Sequence, residues 1–566
     1  MIDFLVKIRS SAQGFIFINP PLNYKAISSG SNTLFLWGDP ILPDNTPENE
    51  LSDLDISILL SIVKGHFYFL KINPEANNLS AGVSMFNILP LYFHETKEDI
   101  FLSSTPQQIA SQLPAVTINN RFILENILFN YQIFNQTCFK EIRLLPTNYF
   151  LNIHNNKISI INHTSIENLF VANPIPWRKS TFKMAELFID SSKHYFPNEP
   201  YVTSLTGGFD GRTLVSCGLH FDKHFSTYSF GKSESSDVRI AQILSNKADL
   251  NYERIELDDS YVKNDSLQNG LEFIKGAAGG AGFARAHYLF ASKQLSKSYK
   301  TIISGNFGSE VFRAAHIAGA VISPNLYKLF LAKDFDEAIA FISTSQEFKF
   351  LNRKSFNREW EELLEDLKTL PCFDPKFKSL KKNEQFYIIL FEETLRKYFG
   401  AEMTNQFKYL VNRTPFLDFD FLKGILQTEM AGVYSDFFTH NPFKRFKGQV
   451  LYAHIIQKTH PEFSNEMTDK GYRPKDLVSI PGNLKIVQSY LKKKLWNNSH
   501  SEPDPYAVNT AFKNNLSFWQ NQAIDDELFS KEFIRNSFQN QTNFTASFYI
   551  ALSQIWWTNF LKNSGK

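Results

Sequence analysis

Residues 201–212 read YVTSLTGGFDGR, and this stretch predicts a strand that turns through glycines into a helix. Residues 201–205 suit a buried strand, Gly207 and Gly208 break it, and Arg212 opens a helical pattern. Such a turn presents free backbone N–H groups and the positive end of a helix dipole. The stretch therefore predicts a phosphate or pyrophosphate site, although two adjacent glycines after a strand are also common in a plain tight turn.

The glycine loop fits neither of two common nucleotide-binding motifs. No Gly-Lys-Ser/Thr follows it, as a Walker A motif requires, and the Rossmann pattern G-x-G-x-x-G is absent. It resembles the pyrophosphate loop of ATP pyrophosphatases, Ser-Gly-Gly-x-Asp-Ser. Thr206 keeps the hydroxyl of the first Ser, and Gly211 replaces the last one. The positions between them match at Gly207, Gly208 and Asp210.

Length and composition fit a soluble, cytoplasmic protein of two domains. The 566 residues exceed one ordinary core, and 59 basic against 57 acidic residues give no strong attraction to nucleic acid. No apolar run approaches 18 residues, so no membrane span is expected, and the N-terminus lacks the apolar stretch of a secretory signal. Cys138, Cys217 and Cys372 are too far apart for a metal motif or a disulfide framework, which fits a reducing cytoplasm.

Up to about residue 165 the chain reads as short strands between turns, which predicts antiparallel sheets. The expected strands are 14–18, 33–37, 66–70, 89–93, 100–103 and 149–153, with helices at 53–63 and 120–130. A Pro-containing connector at 172–180 marks a domain boundary.

Beyond the connector, helices and strands alternate, which predicts an α/β fold with a doubly wound parallel sheet. Strands are expected at 201–205, 224–230, 252–257 and 300–304, and helices at 181–195, 236–247 with Ser236 as N-cap, and 284–295. Such a sheet binds ligands at the carboxyl ends of its strands. From about residue 325 the chain reads almost entirely helical.

Two further segments resemble asparagine synthetases. Residues 304–312, SGNFGSEVF, resemble their Ser-Gly-Glu-Gly-x-Asp-Glu-Leu-Phe segment, and residues 412–418, NRTPFLD, resemble Arg-Val-Pro-Phe-Leu-Asp. These segments, the glycine loop and residues 228–231 stand in the order of that family. Residues 555–560 are similar to its terminal helix, so the resemblance covers nearly the whole chain.

The resemblance implies two domains. Residues 1–170 would be an antiparallel αββα domain of the Ntn-amidotransferase type, and residues 175–566 an ATP-pyrophosphatase domain with a helical C-terminal part. Family glutaminases use a cysteine directly after the initiator Met as nucleophile, and here that position is Ile2. Glutamine hydrolysis should therefore be absent. β-Lactam synthetases and lasso-peptide cyclases, which otherwise resemble asparagine synthetases, share this loss.

The resemblance further implies that the chain binds ATP and Mg²⁺. The nucleotide residues carried over are Leu205, Thr206, Gly207, Gly208, Asp210, Gly211, Arg212, Phe230, Gly231, Ser304 and Gly305. Asp210 and Glu310 are the expected Mg²⁺ ligands, and Glu310 and Lys470 the expected catalytic residues. Lys470 would neutralise charge on the α-phosphate or the tetrahedral intermediate, or it is a solvated surface lysine. Arg413 would contact substrate or, as we favour, pair with Asp418.

Three positions depart from the family pattern. Ser309 replaces the second Mg²⁺-binding Asp and is a poor ligand for a hard cation. Asn306 replaces a Glu and cannot accept a proton at neutral pH. Gly211 removes a phosphate-binding hydroxyl, for which the charge of Arg212 could compensate. Asparagine itself is therefore not the expected product.

The expected function is an ATP-dependent, amide-forming ligase or cyclase that activates a carboxylate as an acyl-adenylate. Its partners would be a carboxylate substrate with an amine nucleophile, small molecule or peptide, and no nucleic acid or membrane. The alternative is a catalytically silent nucleotide-binding scaffold for a biosynthetic partner protein, which Ser309 and Asn306 favour. A tRNA-modifying pyrophosphatase fits less well, because it would want a basic surface.

Overall fold

In a computed structural model, three β-sheets organise the part of the chain that the structure describes. The structure describes residues 2–9, 14–44, 46–154, 157–312, 323–437, 446–479, 482, 485–486, 488, 504–539 and 544–564. The strands are β1 Leu5–Arg9, β2 Phe15–Asn19, β3 Tyr24–Ser29, β4 Asn32–Gly38, β5 Phe67–Asn73, β6 Asn78–Val83, β7 Tyr92–Glu95, β8 Asp99–Ser103, β9 Arg143–Leu144, β10 Tyr149–His154, β11 Lys157–Asn162, β12 Tyr201–Ser204, β13 Phe225–Phe230, β14 Tyr252–Ile255, β15 Thr301–Ile303 and β16 Val411–Arg413.

The first two sheets are antiparallel and use the chain up to residue 162. One has the strand order β2-β1-β8-β7-β9 and the other β11-β10-β6-β5-β4-β3. Ile2 and Phe4 lie in the hydrophobic core that these strands share with the rest of the molecule, and Ile2 is only 1% exposed. The antiparallel class predicted for this region is confirmed. Five strands were not predicted: β1, β3, β6, β9 and β11.

The third sheet is parallel, with the order β14-β13-β12-β15-β16. Its two faces carry different cores, because neighbouring residues of a strand point to opposite sides. Val202 packs in a cluster with Ala291 of one helix, whereas Tyr201 belongs to the cluster that contains Leu214 of another. Helices therefore cover both faces, and the predicted α/β fold class is confirmed.

The α-helices are mostly short, and most of them come after β15 in the chain. They are α1 Ile56–Ile62, α2 Pro106–Ala110, α3 Asn120–Phe129, α4 Trp177–Ser192, α5 Asp210–His220, α6 Ser236–Lys247, α7 Ser266–Gly276, α8 Ala286–Leu295, α9 Gly308–Phe312, α10 Pro324–Leu331, α11 Phe335–Ser343, α12 Asn357–Leu367, α13 Lys382–Ile389, α14 Gly400–Gln406, α15 Phe419–Ile425, α16 Lys447–Thr459, α17 Pro474–Val478, α18 Val508–Asn514, α19 Leu516–Gln520, α20 Lys531–Gln539 and α21 Ala546–Asn563. Residues Leu390–Phe399 join α13 to α14 as a π-helix.

One local prediction needs correction, and one short strand was not predicted. The N-cap of α6 is Ser235, whose side chain accepts the N–H of Val238 at 3.3 Å, so the cap lies one residue before the predicted Ser236. The region after residue 325 is almost entirely helical, as predicted, and the short strand β16 within it adds a fifth strand to the parallel sheet. Three residues are too few to show a strand period in sequence.

Polar contacts join the antiparallel region to β16 and to the segment that follows it. Arg413 makes a bidentate pair with Asp39, at 2.9 Å for both bonds. Asp418 instead pairs with Lys64 at 2.6 Å. The predicted pair between Arg413 and Asp418 is therefore wrong, because each charge finds its partner in the antiparallel region. The division into domains at residues 170 and 175 stays a prediction.

Candidate functional site

The candidate site lies where the strand order of the parallel sheet reverses. From β12 the chain adds β13 and β14 on one side, then crosses to place β15 and β16 on the other. Loops that leave two neighbouring strands in opposite directions at such a point open a crevice at the carboxyl edge, where this class of fold binds ligands. The glycine loop follows β12, and Ser304 and Gly305 follow β15. The two predicted segments therefore meet at the switch point.

The glycine loop is fixed on both sides by backbone bonds. The N–H of Gly207 donates to the Asp237 carboxylate at 3.0 Å, and its carbonyl accepts the N–H of Asp469 at 3.1 Å. A Cβ at position 207 would lie 2.9 Å from the Ile240 Cδ1 and 3.0 Å from the Asp469 Cβ, so the packing favours glycine. The N–H of Gly208 donates to the Thr206 hydroxyl at 3.3 Å. The loop is thus held in one conformation, with Thr206 exposed at its tip.

Helix α5 starts against the end of β12. A Cβ at Gly211 would lie 2.4 Å from the carbonyl oxygen of Ser204, closer than packed atoms approach. The serine that the resembled motif carries at this position therefore does not fit this backbone. Because Gly211 has no Cβ, the N-terminus of α5, with its positive dipole end, packs directly against the end of β12.

Asp210 is the carboxylate of the loop, and two hydroxyls hold it. Ser309 donates to one oxygen at 3.0 Å, and Tyr452 of α16 donates to the other. Gly305 packs directly against it, since a Cβ there would lie 2.7 Å from the Asp210 Cβ. Asp210 is half-buried in the first turn of α5, where a carboxylate is favourable.

The donor set at the loop fits Mg²⁺ that is bound together with phosphate. Within the described residues, no three His, Cys, Asp or Glu side chains cluster as a metal site. One carboxylate, Asp210, could bind the ion while phosphate oxygens supply other ligands, as Mg²⁺ sites in ATP-using proteins commonly do. Glu310 is buried, and its backbone carbonyl accepts the hydroxyl of Tyr387 at 2.8 Å. Its pairing with Asp210 around one ion stays a prediction.

Two basic residues flank the loop, but only Lys470 faces it. The Arg212 side chain is fully buried and donates to the carbonyls of Phe463 and Met467, at 3.2 and 2.8 Å. Burial lowers the pKa of Arg212 to about 10, so it is charged at neutral pH but serves to hold a loop. The Arg212 side chain therefore does not compensate for the phosphate-binding hydroxyl that Gly211 lacks, contrary to the prediction. Lys470 lies 3.1 Å from Asp469, with its Nζ 6.0 Å from the Phe209 ring centre inside the glycine loop.

Aromatic rings line the neighbouring end of β13. Phe230 contacts the rings of His287, Tyr288 and Tyr506 at centroid distances of 5.1, 5.5 and 5.6 Å. Gly231 follows with a φ of +130°, which strongly favours glycine. Leu205 is buried, and its N–H donates to the carbonyl of Tyr228 at 2.8 Å, so neither its side chain nor its N–H is open to a ligand.

A buried carboxylate lies beside Asn306. Glu402 of α14 accepts the amide of Asn306 at 3.3 Å and pairs with Arg285 at 2.6 Å. Burial raises the pKa of Glu402, which the Arg285 charge opposes. Ser304 is fixed nearby, because its hydroxyl donates to Asn412 at 2.8 Å. The structure thus places a carboxylate next to the position at which the resembled segment carries its own glutamate.

Sequence reasoning missed Asp237, Glu402, Tyr452 and Tyr506. Asp237 had one usable signal, an acidic residue in the first turn of a helix behind a serine cap. The other three lie 96 or more residues from the loops they face, on helices or loops without a motif of their own. Only tertiary structure brings them to the site.

No protein-family model and no curated protein matches this chain. Among solved structures, a glutamine phosphoribosylpyrophosphate amidotransferase from B. subtilis complexed with ADP and GMP matches 49% of this chain and 56% of its own, at 10% identity and a TM-score of 0.17. An NMN synthetase from Francisella tularensis matches 41% of this chain and 92% of its own, at 15% identity and a TM-score of 0.17. The match to the amidotransferase thus spans little more than half of that chain. At this TM-score neither similarity supports an inference about function. Among the described helices, none is both long and apolar enough to cross a bilayer.

Proposed function

We propose that this protein is an ATP-dependent ligase that joins a carboxylate to an amine through an acyl-adenylate. One observation carries the proposal: the glycine loop and the Ser304–Gly305 turn meet at the switch point, around a carboxylate that two hydroxyls hold. Phosphate groups bind well at glycine loops that open a helix. A pre-formed carboxylate beside such a loop supplies the ligand that magnesium-bound triphosphate needs.

The residues divide the chemistry between them. The triphosphate of ATP would lie beside the glycine loop at the N-terminus of α5, with its base toward the aromatic rings around Phe230. A substrate carboxylate oxygen would attack the α-phosphorus, the bond to the β-phosphate oxygen would break, and pyrophosphate would leave. Mg²⁺ would supply charge neutralisation for the phosphates. Lys470 would offset negative charge on the reacting centre, as a fixed cation does best in a water-poor site.

The second half of the reaction needs an amine and a base. An amine would attack the acyl-adenylate carbonyl, lose a proton, and expel AMP to leave an amide. Asn306 cannot take that proton. The Glu402 carboxylate lies 3.3 Å from the Asn306 amide nitrogen, and burial raises the pKa of Glu402, so Glu402 is the better base. The amine would come from the same substrate, a second substrate or free ammonia, because Ile2 supplies no thiol for glutamine hydrolysis.

Among known families, the proposal corresponds to asparagine synthetase relatives that lack the glutaminase cysteine. The order of the four sequence segments supports this assignment. Macrolactam closure and amidation of a small carboxylate, in natural-product or polysaccharide assembly, fit the site equally well. A reaction in the cytoplasm with a biosynthetic partner protein would suit either.

Exchange of labelled pyrophosphate into ATP tests the proposal. Candidate carboxylates are added to the protein with Mg²⁺, and an active ligase exchanges label only when the right carboxylate is present. Asp210→Asn is the negative control. The specific alternative, a silent nucleotide-binding scaffold, rests on Ser309 in place of a carboxylate, and it predicts ATP binding without exchange across the whole panel.

A further inference from the structure

A carboxylate from a second loop occupies one backbone amide of the glycine loop. Asp237 lies in the first turn of α6, which follows β13, and its Oδ1 accepts the N–H of Gly207 at 3.0 Å. A backbone amide in a glycine loop that opens a helix is the kind of donor that binds phosphate. In this structure the amide of Gly207 therefore binds an anionic oxygen of the protein's own chain.

The glycine loop and α6 both have other contacts that hold them in place. The carbonyl of Gly207 accepts the N–H of Asp469 at 3.1 Å, which fixes the loop from its other side. The cap of α6 is Ser235, whose side chain accepts the N–H of Val238 at 3.3 Å. Asp237 is therefore not the cap of its helix. Rotation of its side chain would release the N–H of Gly207 without a change in the backbone.

The surroundings of Asp237 disfavour its charged form. Burial raises the pKa of Asp237, and the nearby Asp469 carboxylate raises it too, against the hydrogen bond from Gly207. The ion pair of Lys470, at 3.1 Å, is with Asp469. A half-buried carboxylate beside a second one gains free energy when it turns toward water. A phosphate that arrives with Mg²⁺ brings its own counter-charge and can replace Asp237 at the amide.

We propose that ATP displaces the Asp237 carboxylate from the amide of Gly207, and that the carboxylate returns when pyrophosphate leaves. This inference rests on the proposed function, which puts the triphosphate beside the glycine loop. The two anions exclude each other, because like charges would meet if both approached one N–H. Asp237 therefore weakens the binding of ATP and of pyrophosphate, and it favours release of pyrophosphate after adenylation.

Calorimetry of the full chain with Mg²⁺ measures the affinity for ATP and, separately, for inorganic pyrophosphate. Asp237→Ala should tighten the binding of both by at least about tenfold, because neither ligand then has to replace a charged hydrogen bond. Asp237→Asn should have a smaller effect in the same direction, since its amide oxygen accepts the same N–H without a charge. This variant keeps the shape of the side chain, so it also serves if Asp237→Ala does not fold.

Glu234→Ala is the matched control. It removes an exposed carboxylate from the loop that carries Asp237, with the same change in net charge, and should bind both ligands as the unmodified protein does. A gain in Glu234→Ala as large as that in Asp237→Ala would overturn the inference, because net charge alone would then explain it.

The results for ATP separate this inference from the proposed function. If the unmodified protein binds ATP and Asp237→Ala binds it equally or more weakly, the inference is wrong and the proposed function stands. If neither protein binds ATP, both are wrong. Tighter binding of ATP without tighter binding of pyrophosphate would overturn the return of Asp237 when pyrophosphate leaves.

Discussion

Lys470 stands beside the loop as a partly solvated cation, and its position decides between two roles. Its Nζ lies near Phe209 and is balanced by Asp469. If Lys470 neutralises charge that develops in the reaction, it stabilises the transition state more than the ground state.

Lys470→Ala should therefore lower kcat for adenylation by about 100-fold or more, while the Kd of ATP rises by less than about threefold. Single-turnover kinetics and calorimetry measure the two quantities separately. Equal losses in both would assign Lys470 to ground-state binding. Lys475→Ala, five residues further along the chain, is the matched control and should change neither.

His66 is a buried neutral group, which makes stability depend on pH. Its Nε2 bonds the Thr414 hydroxyl at 2.7 Å, and burial lowers its pKa to about 4. An unfolded histidine titrates near 6.5, so between pH 6.5 and 4 the unfolded chain binds a proton that the folded chain does not. As the pH is lowered through this window, the free energy of unfolding should therefore decrease, by up to about 3 kcal/mol from this residue.

Urea unfolding at several pH values between 7.5 and 4.5 measures the slope. His66→Gln should flatten it, whereas replacement of the exposed His224 by Gln should not. Other buried histidines add to the total, because burial also lowers the pKa of His287 to about 3 and of His163 to about 4. The difference between the two variants isolates His66.

At the scale of elements, packing constrains two glycines of the turn from β12 into α5 differently. Gly211 is required by packing, since a Cβ would lie 2.4 Å from a strand carbonyl. Gly208 is not, since the nearest atom to a Cβ there is the Thr206 hydroxyl oxygen at 3.4 Å, an ordinary contact.

The two alanine variants should separate these constraints. Gly211→Ala should destabilise the protein by about 1–3 kcal/mol, as overpacking does. Gly208→Ala should leave the melting temperature nearly unchanged and weaken ATP binding instead, because its Cβ would stand where the pyrophosphate approaches the loop. Retained ATP affinity in Gly208→Ala would exclude that approach.

The predictable part of the site was its local part. A strand, a glycine turn and a helix that follow one another in sequence set their own geometry, so residues 201–212 could be interpreted without the fold. Tyr452 and Glu402 could not, because their contacts with the site join residues that lie 242 and 96 positions apart. β16 was not predicted for another reason, because its three residues pair with β15 only after a long helical segment of the chain.

At the scale of the whole molecule, buried charges fasten the antiparallel region to the segment beside the site. Lys64 pairs with Asp418, whose side chain is fully buried and also accepts the N–H of Phe421 as the cap of α15. The sequence predicted both regions from their strand patterns, but it held no sign of this pairing. Charge partners that lie 354 residues apart are set by how the two regions dock.

Lys64→Met should cost about 3–5 kcal/mol of unfolding free energy, because it leaves a buried carboxylate without a counter-charge. Asp418→Asn in the same chain should recover part of this loss, since the amide oxygen still caps the helix. Lys458→Met removes an exposed pair with Glu186 and should cost less than about 1 kcal/mol. Urea unfolding of the four proteins measures these differences.

Calorimetry with Mg²⁺ and ATP tests the nucleotide site at the switch point most directly. We expect one ATP per chain in the presence of Mg²⁺, and a loss of this magnesium-dependent binding in Asp210→Asn without a change in fold. Asp222→Asn, past the other end of α5, should bind as the unmodified protein does. Absence of binding to the unmodified protein, or unchanged magnesium-dependent binding in Asp210→Asn, would contradict the account.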